Sequence, residues 1–262
     1  VGSTLEAEAF TRPRPHVRWL DATTRLDHFA LVTFAVDPAR LRASLPASLE
    51  PEIRRLDDGT ECGFVSAVSF RDVDFRMAVA PWFRLSFFQT NYRAYVRDPD
   101  GRRAVFFFGT TLDSRFAAVP RTAWGMPWYP GATEIEAEWT PDGRCLAYRH
   151  VCAGRWGTAD VEIEGTGEPL GRLDGFGDTD DGALVLTHPL DGFYARPNGR
   201  LGRYAVWHER LRPRLGVARR ARYAVFEDLG LVAPDQAPHS VLLQRSIEFD
   251  VLLPPTRYRR PS

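Results

Sequence analysis

The chain has 262 residues, 44% of them hydrophobic and 26% charged, with 34 basic against 34 acidic side chains. That length suits one large domain or two small ones, the composition is that of an ordinary globular chain, and zero net charge excludes a global field drawing it to nucleic acid or an anionic membrane. All 34 basic side chains are arginine, so no lysine is present to form a Schiff base with a carbonyl substrate.

No apolar run approaches the roughly 20 residues of a membrane span. The opening "VGSTLEAEAFTRPRP" has no signal-peptide core, and residues 1–15 are expected to be a tail. Three cysteines, Cys62, Cys145 and Cys152, occur without a CxxC, which fits a reducing compartment, so a cytoplasmic protein is expected. Neither a repeat nor a Ser/Gly linker divides residues 16–262, which favours a single domain.

In chain order, "HFALVTFAVD" reads as a strand and "PARLRASLP" as a short helix begun by Pro38. Strands follow at about 51–56, 61–75, 84–97 and 103–113, with "DPDGR" as a turn between the last two. "SRFAAVPRTAW" reads as a helix ending near Pro120, then strands near 132–140, 144–153 and 157–165 alternate with the turn signals "TPDGR" and "AGRWG". Residues 166–202, rich in Gly, Asp and Pro, carry no clear period. "GRYAVWHERL", a helix or strand at "ARRARYAVFEDLG" and a final strand "SVLLQRSIEFDVLLPP" close the chain. The expected fold is mainly β with a few short helices (α+β), as a closed antiparallel barrel or a two-sheet sandwich.

"FFQTNYRAYV", residues 87–96, stands out. With the period of two of a strand, Phe87, Gln89, Asn91, Arg93 and Tyr95 share one face. Amides and a guanidinium between aromatic rings are unlike a solvated face, and two destinations remain open: the outside of the sheet or an internal cavity. Inside, Arg93 must meet an anion, a carboxylate or water, because an unpartnered buried charge is costly.

Other chemistries lack their motifs: there is no GxSxG, P-loop, HExxH or helix-opening GxGxxG. His16, His28, His150, His188, His208 and His239 are scattered without metal-ligand spacing, so no metal or cofactor is expected. "GDTDDG" at 177–182 reads as a solvated turn. Cys145 and Cys152, seven apart, fall on opposite faces of an unbroken strand. The arginines of "RLRPRLGVARRAR" at 210–222 read as a solvated face balanced by acids such as Glu209, Glu227 and Asp228.

Three ordered stretches, "FALVTFAVDPARLRASLPASLEPE", "PRTAWGMPWYPGA" and "SIEFDVLLPPTRY", resemble the acetoacetate decarboxylase-like superfamily. Within it they resemble an uncharacterised bacterial branch with a strand of the form F-x-E-x-N-x-R-x-Y-V, here "FQTNYRAYV". The resemblance spans roughly residues 17–260 and implies a closed, cone-like β-barrel around a buried cavity. The catalytic identities of the decarboxylases do not carry over. Gln89 stands where they have a catalytic Glu, "GMPWY" replaces G-x-P-K-K so that Trp128 and Tyr129 stand where the lysines would be, and an early active-site arginine falls near Asp27 or His28. In the uncharacterised branch a His opens the strand at the position of His28, and His208 resembles another recurring position.

Three functions follow as expectations. One is a lysine-independent lyase, dehydratase, cyclase or isomerase acting on a small carboxylate or carbonyl compound. In it Arg93 clamps an anionic oxygen, Gln89 and Asn91 orient a carbonyl, Tyr95 and Arg121 also bind substrate, Trp124, Trp128 and Tyr129 form an apolar or stacking wall, and His28, His208, Tyr129 or Asp27 transfers a proton. The others are a non-catalytic protein that binds a small molecule in the same cavity, and a structural role with the interior filled. A small molecule is the expected partner, without nucleic acid or membrane, and a homo-oligomer stays open.

Overall fold

The computed structural model describes residues 13–257; residues 1–12 of the expected tail lie outside the described residues. Strand β1 (Ala22–Val36) leads into helix α1 (Pro38–Ser44). The helix starts where the sequence predicts, with Pro38 in its first turn and Asp37 accepting from the Arg40 amide at 2.8 Å. Two short strands, β2 (Glu50–Pro51) and β3 (Arg54–Arg55), precede the long hairpin β4 (Glu61–Met77) and β5 (Leu85–Arg97), then β6 (Arg103–Leu112). Helix α2 (Ala118–Trp124) is followed by β7 (Trp128–Trp139), β8 (Cys145–Gly154) and β9 (Gly157–Pro169). The segment without a clear period holds helix α3 (Thr179–Thr187) and strand β10 (Asp191–Ala195). Strands β11 (Leu201–His208) and β12 (Arg214–Tyr223), helix α4 (Ala224–Asp228) and β13 (Ser240–Arg257) complete the described chain.

The strands form one sheet that returns on itself. Strands β6, β5, β4, β1 and β13 lie side by side, and β6 and β13 each change neighbour along their length. Strand β6 pairs with β10 at Val105 to Phe107 and with β7 at Thr110 to Leu112. Strand β13 pairs with β12 at Leu242 and Leu243 and with β11 from Phe249 onward. One closed circuit therefore runs through β10 and β11, and a second through β7, β8, β9 and β12, with the central strands shared. The expected closed, mainly antiparallel β fold is present, with two short parallel pairs, β6–β10 and β6–β7. The parallel β6–β7 pair is possible because the crossover containing α2 returns the chain alongside the last residues of β6.

The shared strands have interiors on both sides. Tyr92, Ala94 and Val96 of β5 join Val32, Phe34, Tyr148, Val161 and Tyr223 in one apolar core, whereas Phe87 and Tyr95 join Phe64, Phe70, Phe107 and Leu242 in another. The first core is filled by side chains. It also holds His150, fully buried, with Nε2 at 3.0 Å from Thr90 Oγ1 and Nδ1 at 3.1 Å from the Glu134 carbonyl.

Two sequence expectations change here and a third gains its partners. Cys145 and Cys152 do not face opposite ways: a bulge that skips from Glu138↔Ala147 to Trp139↔Cys145 shifts the alternation, and both thiols are buried in the first core. "GDTDDG" is the start of α3, with Asp178 accepting from the Asp181 amide at 2.8 Å and Asp181 paired with Arg54 at 2.9 Å. The arginines of β12 do meet acids, mainly those of the neighbouring strand: Arg219 with Glu164 and Arg220 with Glu162, both at 2.6 Å, beside Arg222 with Glu227 at 2.9 Å. No helix of the described residues is long and apolar enough to cross a membrane.

Burial pushes His150 down to about 4 from an ordinary 6.5. The unfolded chain then takes up this proton first as pH falls, so the stabilising contribution is complete above pH 6.5 and lost as pH drops through 4, by up to about 3 kcal/mol at about 1.4 kcal/mol per pKa unit. His150→Gln should lower the melting temperature at pH 7 yet show a shallower loss between pH 6.5 and 4. Parallel curves for the two proteins would contradict this assignment.

Candidate functional site

The circuit through β10 and β11 encloses a cavity of about 90 Å³, room for about three waters at roughly 30 Å³ each, or for one very small molecule. Its wall is mostly apolar, with Phe70, Val105, Phe107, Trp128, Phe249 and Val251 among its residues. Gln89, Asn91 and Arg93 line it from β5, the position the period of two predicts for an inward face.

The two amides are held in a defined pose. Gln89 Nε2 donates to Asn91 Oδ1 at 2.9 Å, and Thr110 Oγ1 donates to the same oxygen at 2.8 Å. Asn91 Oδ1 is thereby occupied twice, and its Nδ2 amide group makes no hydrogen bond among the described residues. Arg93 Nη2 donates to the Leu186 carbonyl at 2.8 Å and to the Tyr95 hydroxyl at 3.2 Å, with the guanidinium over the Tyr95 ring at 5.3 Å. Leu186 lies in the last turn of α3, where a cation meets the negative end of the helix. No carboxylate among the described residues pairs with Arg93, and its Nε is buried without a hydrogen-bond partner. Tyr95 does not line the cavity. Its hydroxyl donates to the Leu186 carbonyl at 2.9 Å and lies 2.9 Å from Ser66 Oγ, so it braces Arg93.

Beside Arg93, three titratable groups share this cavity, Asp72, His208 and Tyr204. Asp72, 3% exposed, accepts from Thr24 Oγ1 at 2.8 Å through Oδ1, whereas Oδ2 has no partner. Burial pushes its carboxyl up to about 7, against the Thr24 hydrogen bond. In register Phe70 faces Gln89, so Asp72 and Gln89 are diagonal neighbours with Cα atoms about 7–8 Å apart. Arg93 lies four residues along β5 from Gln89, roughly 13 Å. His208 stacks on Phe249 at 4.2 Å and meets the His188 ring edge-on at 4.7 Å. Its Nδ1 donates to the Glu209 carbonyl at 2.7 Å, which leaves Nε2 as the acceptor. Burial, partly offset by that carbonyl, pushes the imidazole down to about 3. Tyr204 completes the polar lining, stacked on Phe107 at 5.4 Å, its phenol pushed up by burial.

The structure brings together Gln89, Asn91, Arg93, Trp128 and His208 of the residues singled out from sequence, and places the others elsewhere. His28 is the extra residue of a β1 bulge, with φ 55°, between Asp27 and Ala30 in the pairing with β4. The bulge lets both Leu26 and Phe29 face the cavity and sends His28 the other way, where Nδ1 accepts from Trp139 Nε1 at 2.8 Å and burial pushes the imidazole down. Asp27 is paired with Arg25 at 2.9 Å. Tyr129 alternates with Trp128 and so points away from the cavity, between the guanidiniums of Arg121 at 5.0 Å and Arg155 at 4.6 Å. Trp124 lines an adjoining apolar groove. Asp72, Thr24 and Tyr204 are cavity residues that the sequence reading missed. The signal for Asp72 was present in "FRDVDF", where an acid alternates with Phe70 on the same face.

The family model described as "Uncharacterized conserved protein (COG2071)", DUF2071, matches residues 23–248. The chain belongs to this family. No curated protein matches it. Among solved structures it resembles an acetoacetate decarboxylase-like enzyme from Sphingomonas wittichii RW1, with TM-score 0.59 and 17% identity over 94% of this chain and 96% of that one. It also resembles the enduracididine biosynthesis enzyme MppR complexed with pyruvate, with TM-score 0.61 and 15% identity over 94% and 93%. A third is acetoacetate decarboxylase from Legionella pneumophila, with TM-score 0.59 and 14% identity over 96% and 94%. These likenesses establish an acetoacetate decarboxylase-like fold.

The raised carboxyl makes a stability test of the site. Unfolded, Asp72 titrates near 3.8, and folded near 7, so its favourable neutral form is fully present below pH 3.8 and its contribution is lost as pH rises through 7, by up to about 4 kcal/mol at about 1.4 kcal/mol per unit. Asp72→Asn, neutral throughout, should melt higher than wild type at pH 8 and converge with it below pH 4. A variant that melts lower at pH 8 would mean that the carboxylate is stabilised by a partner in the folded state.

Proposed function

We propose that the chain is a lysine-independent enzyme of the lyase, dehydratase, cyclase or isomerase kind that binds a small carboxylate or carbonyl compound in the cavity and moves a proton on it. The observation that carries the reading is the coexistence, in one apolar cavity, of a guanidinium without a carboxylate partner and a carboxyl poised near neutrality. The binding of pyruvate by MppR, a protein of similar fold, supports a 2-oxo acid as the first compound to test.

Arg93 takes an anionic group of the ligand through its free guanidinium edge. The Asn91 amine and the Gln89 amide face the ligand's carbonyl oxygen, where charge develops when a neighbouring C–H bond breaks and its electron pair moves into an enolate. Asp72 as carboxylate accepts that proton, and as acid returns it, because a pKa near the working pH serves both directions. His208 Nε2 offers a second acceptor, and Trp128 and Phe107 close the space against water. With no lysine in the chain, the electron sink is the carbonyl itself and not an iminium ion.

Proton NMR in deuterium oxide reads this chemistry without the natural substrate. Wild type should speed loss of the methyl protons of pyruvate, with a rate that rises as Asp72 ionises through pH 7. Asp72→Asn should slow exchange by about 10²- to 10⁴-fold with the fold intact. Arg93→Ala should raise the pyruvate concentration needed, and Arg93→Lys should not restore it, since an ammonium lacks the planar fork. Binding of short 2-oxo acids without exchange would favour the non-catalytic ligand-binding protein, and absence of any thermal shift with them would remove the small-acid reading.

A further inference from the structure

An apolar groove of about 240 Å³ adjoins the cavity. Leu20, Phe116, Val119, Trp124 and Met126 line it, and Phe75, Trp128 and Val251 wall both spaces. One layer of side chains thus separates a mostly apolar cavity that carries a few polar groups and is too small for more than a short acid from a wholly apolar one larger than the roughly 150 Å³ that accommodates a benzene ring. The groove lies at the end of the sheet where β4 and β13 reach Met77 and Leu253, whereas Arg93 is braced by α3 further along β5. The end of the cavity at Asp72 and Phe75 is the end that borders this groove, so a ligand in the cavity meets the groove there.

We infer that the substrate is an amphiphile: a short acidic carbonyl head in the cavity bearing an aryl or alkyl substituent that lies in the groove, with Trp128 and Phe75 as the partition it passes. This rests on the proposed head site. The occupant is argued from the wall the two spaces share, Phe75, Trp128 and Val251, and from a groove lining that exposes no polar surface, which offers nothing to a charged or hydrogen-bonding partner. Trp128 then has a use that a lysine at the same position would not, as an apolar wall shared by head and tail.

Isothermal titration with 2-oxobutanoate, 2-oxohexanoate, 2-oxooctanoate and phenylpyruvate tests the inference. The dissociation constant should fall about fourfold per added methylene, the value for burying one CH₂, until the groove is filled. Val119 is half exposed on α2, so Val119→Glu places a charge in the groove with little risk to folding, and it should flatten the series. A constant that is level across the series in wild type overturns the inference. Benzyl alcohol, read by tryptophan fluorescence, separates this result from failure of the head site. If no 2-oxo acid binds but benzyl alcohol binds wild type and not Val119→Glu, the groove stands and the Arg93 head assignment falls. If benzyl alcohol binding weakens as protein concentration rises, a second copy of the chain covers the groove and the inference is overturned, as it is if neither class of compound binds.

Discussion

Between Gln89 and Val96 strand β5 has no solvent face, and the candidate site depends on that constraint. Its even-numbered side chains from Thr90 to Val96 are packed into the filled core, and its odd-numbered ones, Gln89, Asn91 and Arg93, look into the cavity. A one-residue slip in its pairing with β4 would drive a guanidinium into the core of Tyr92, Tyr148 and Tyr223 and move Tyr92 into the cavity. Such a slip would bury an unpaired charge, and its cost fixes the register more firmly than hydrogen bonding alone. The lining of the cavity and the packing of the core are specified by the same alternation.

Holding Arg93 without a carboxylate requires other compensation. The last turn of α3 supplies it, through a carbonyl shared by the guanidinium and the Tyr95 hydroxyl. The helix is itself fixed at its start, where Asp181 pairs with Arg54, and Arg54 with the buried Glu52, which Arg97 of β5 also engages. Both ends of α3 are therefore tied to β5 by arginine. Neutral acceptors keep the cation in place yet leave its charge available, whereas a fixed carboxylate would compete with an incoming anion.

The sequence made the strand alternation legible because both faces of β5 are chemically distinct, and the same rule separates Trp128 from Tyr129. Pro38, the "DPDGR" turn and the long final strand were also readable from local chemistry. His28 was not, because a single bulge reverses parity, and nothing in "RLDHFALV" marks where the extra residue falls. The same cause misplaced Cys145 relative to Cys152. Helix α3 was hidden by its own capping acids, whose partners Arg54 and Arg103 are distant in sequence. Asp72 and Tyr204 become a site only through pairings of β4 with β1 and β11 with β13, which no local pattern encodes.

Because the chain holds no lysine, the proposed reaction sets its own demands on the cavity. An iminium ion carries its positive charge on the substrate, so the surrounding protein need only tolerate it. An enolate carries negative charge on an oxygen, and in an apolar space that charge is stabilised only by donors already aimed at it. The amide pair fits that demand: Thr110 and Gln89 together occupy Asn91 Oδ1, which orients the Asn91 amine outward without using it. The same apolar walls that make an enolate costly keep Asp72 near neutrality, so one feature, exclusion of water by Phe70, Phe107, Trp128 and Phe249, sets both the difficulty of the reaction and the basicity of the group proposed to perform it.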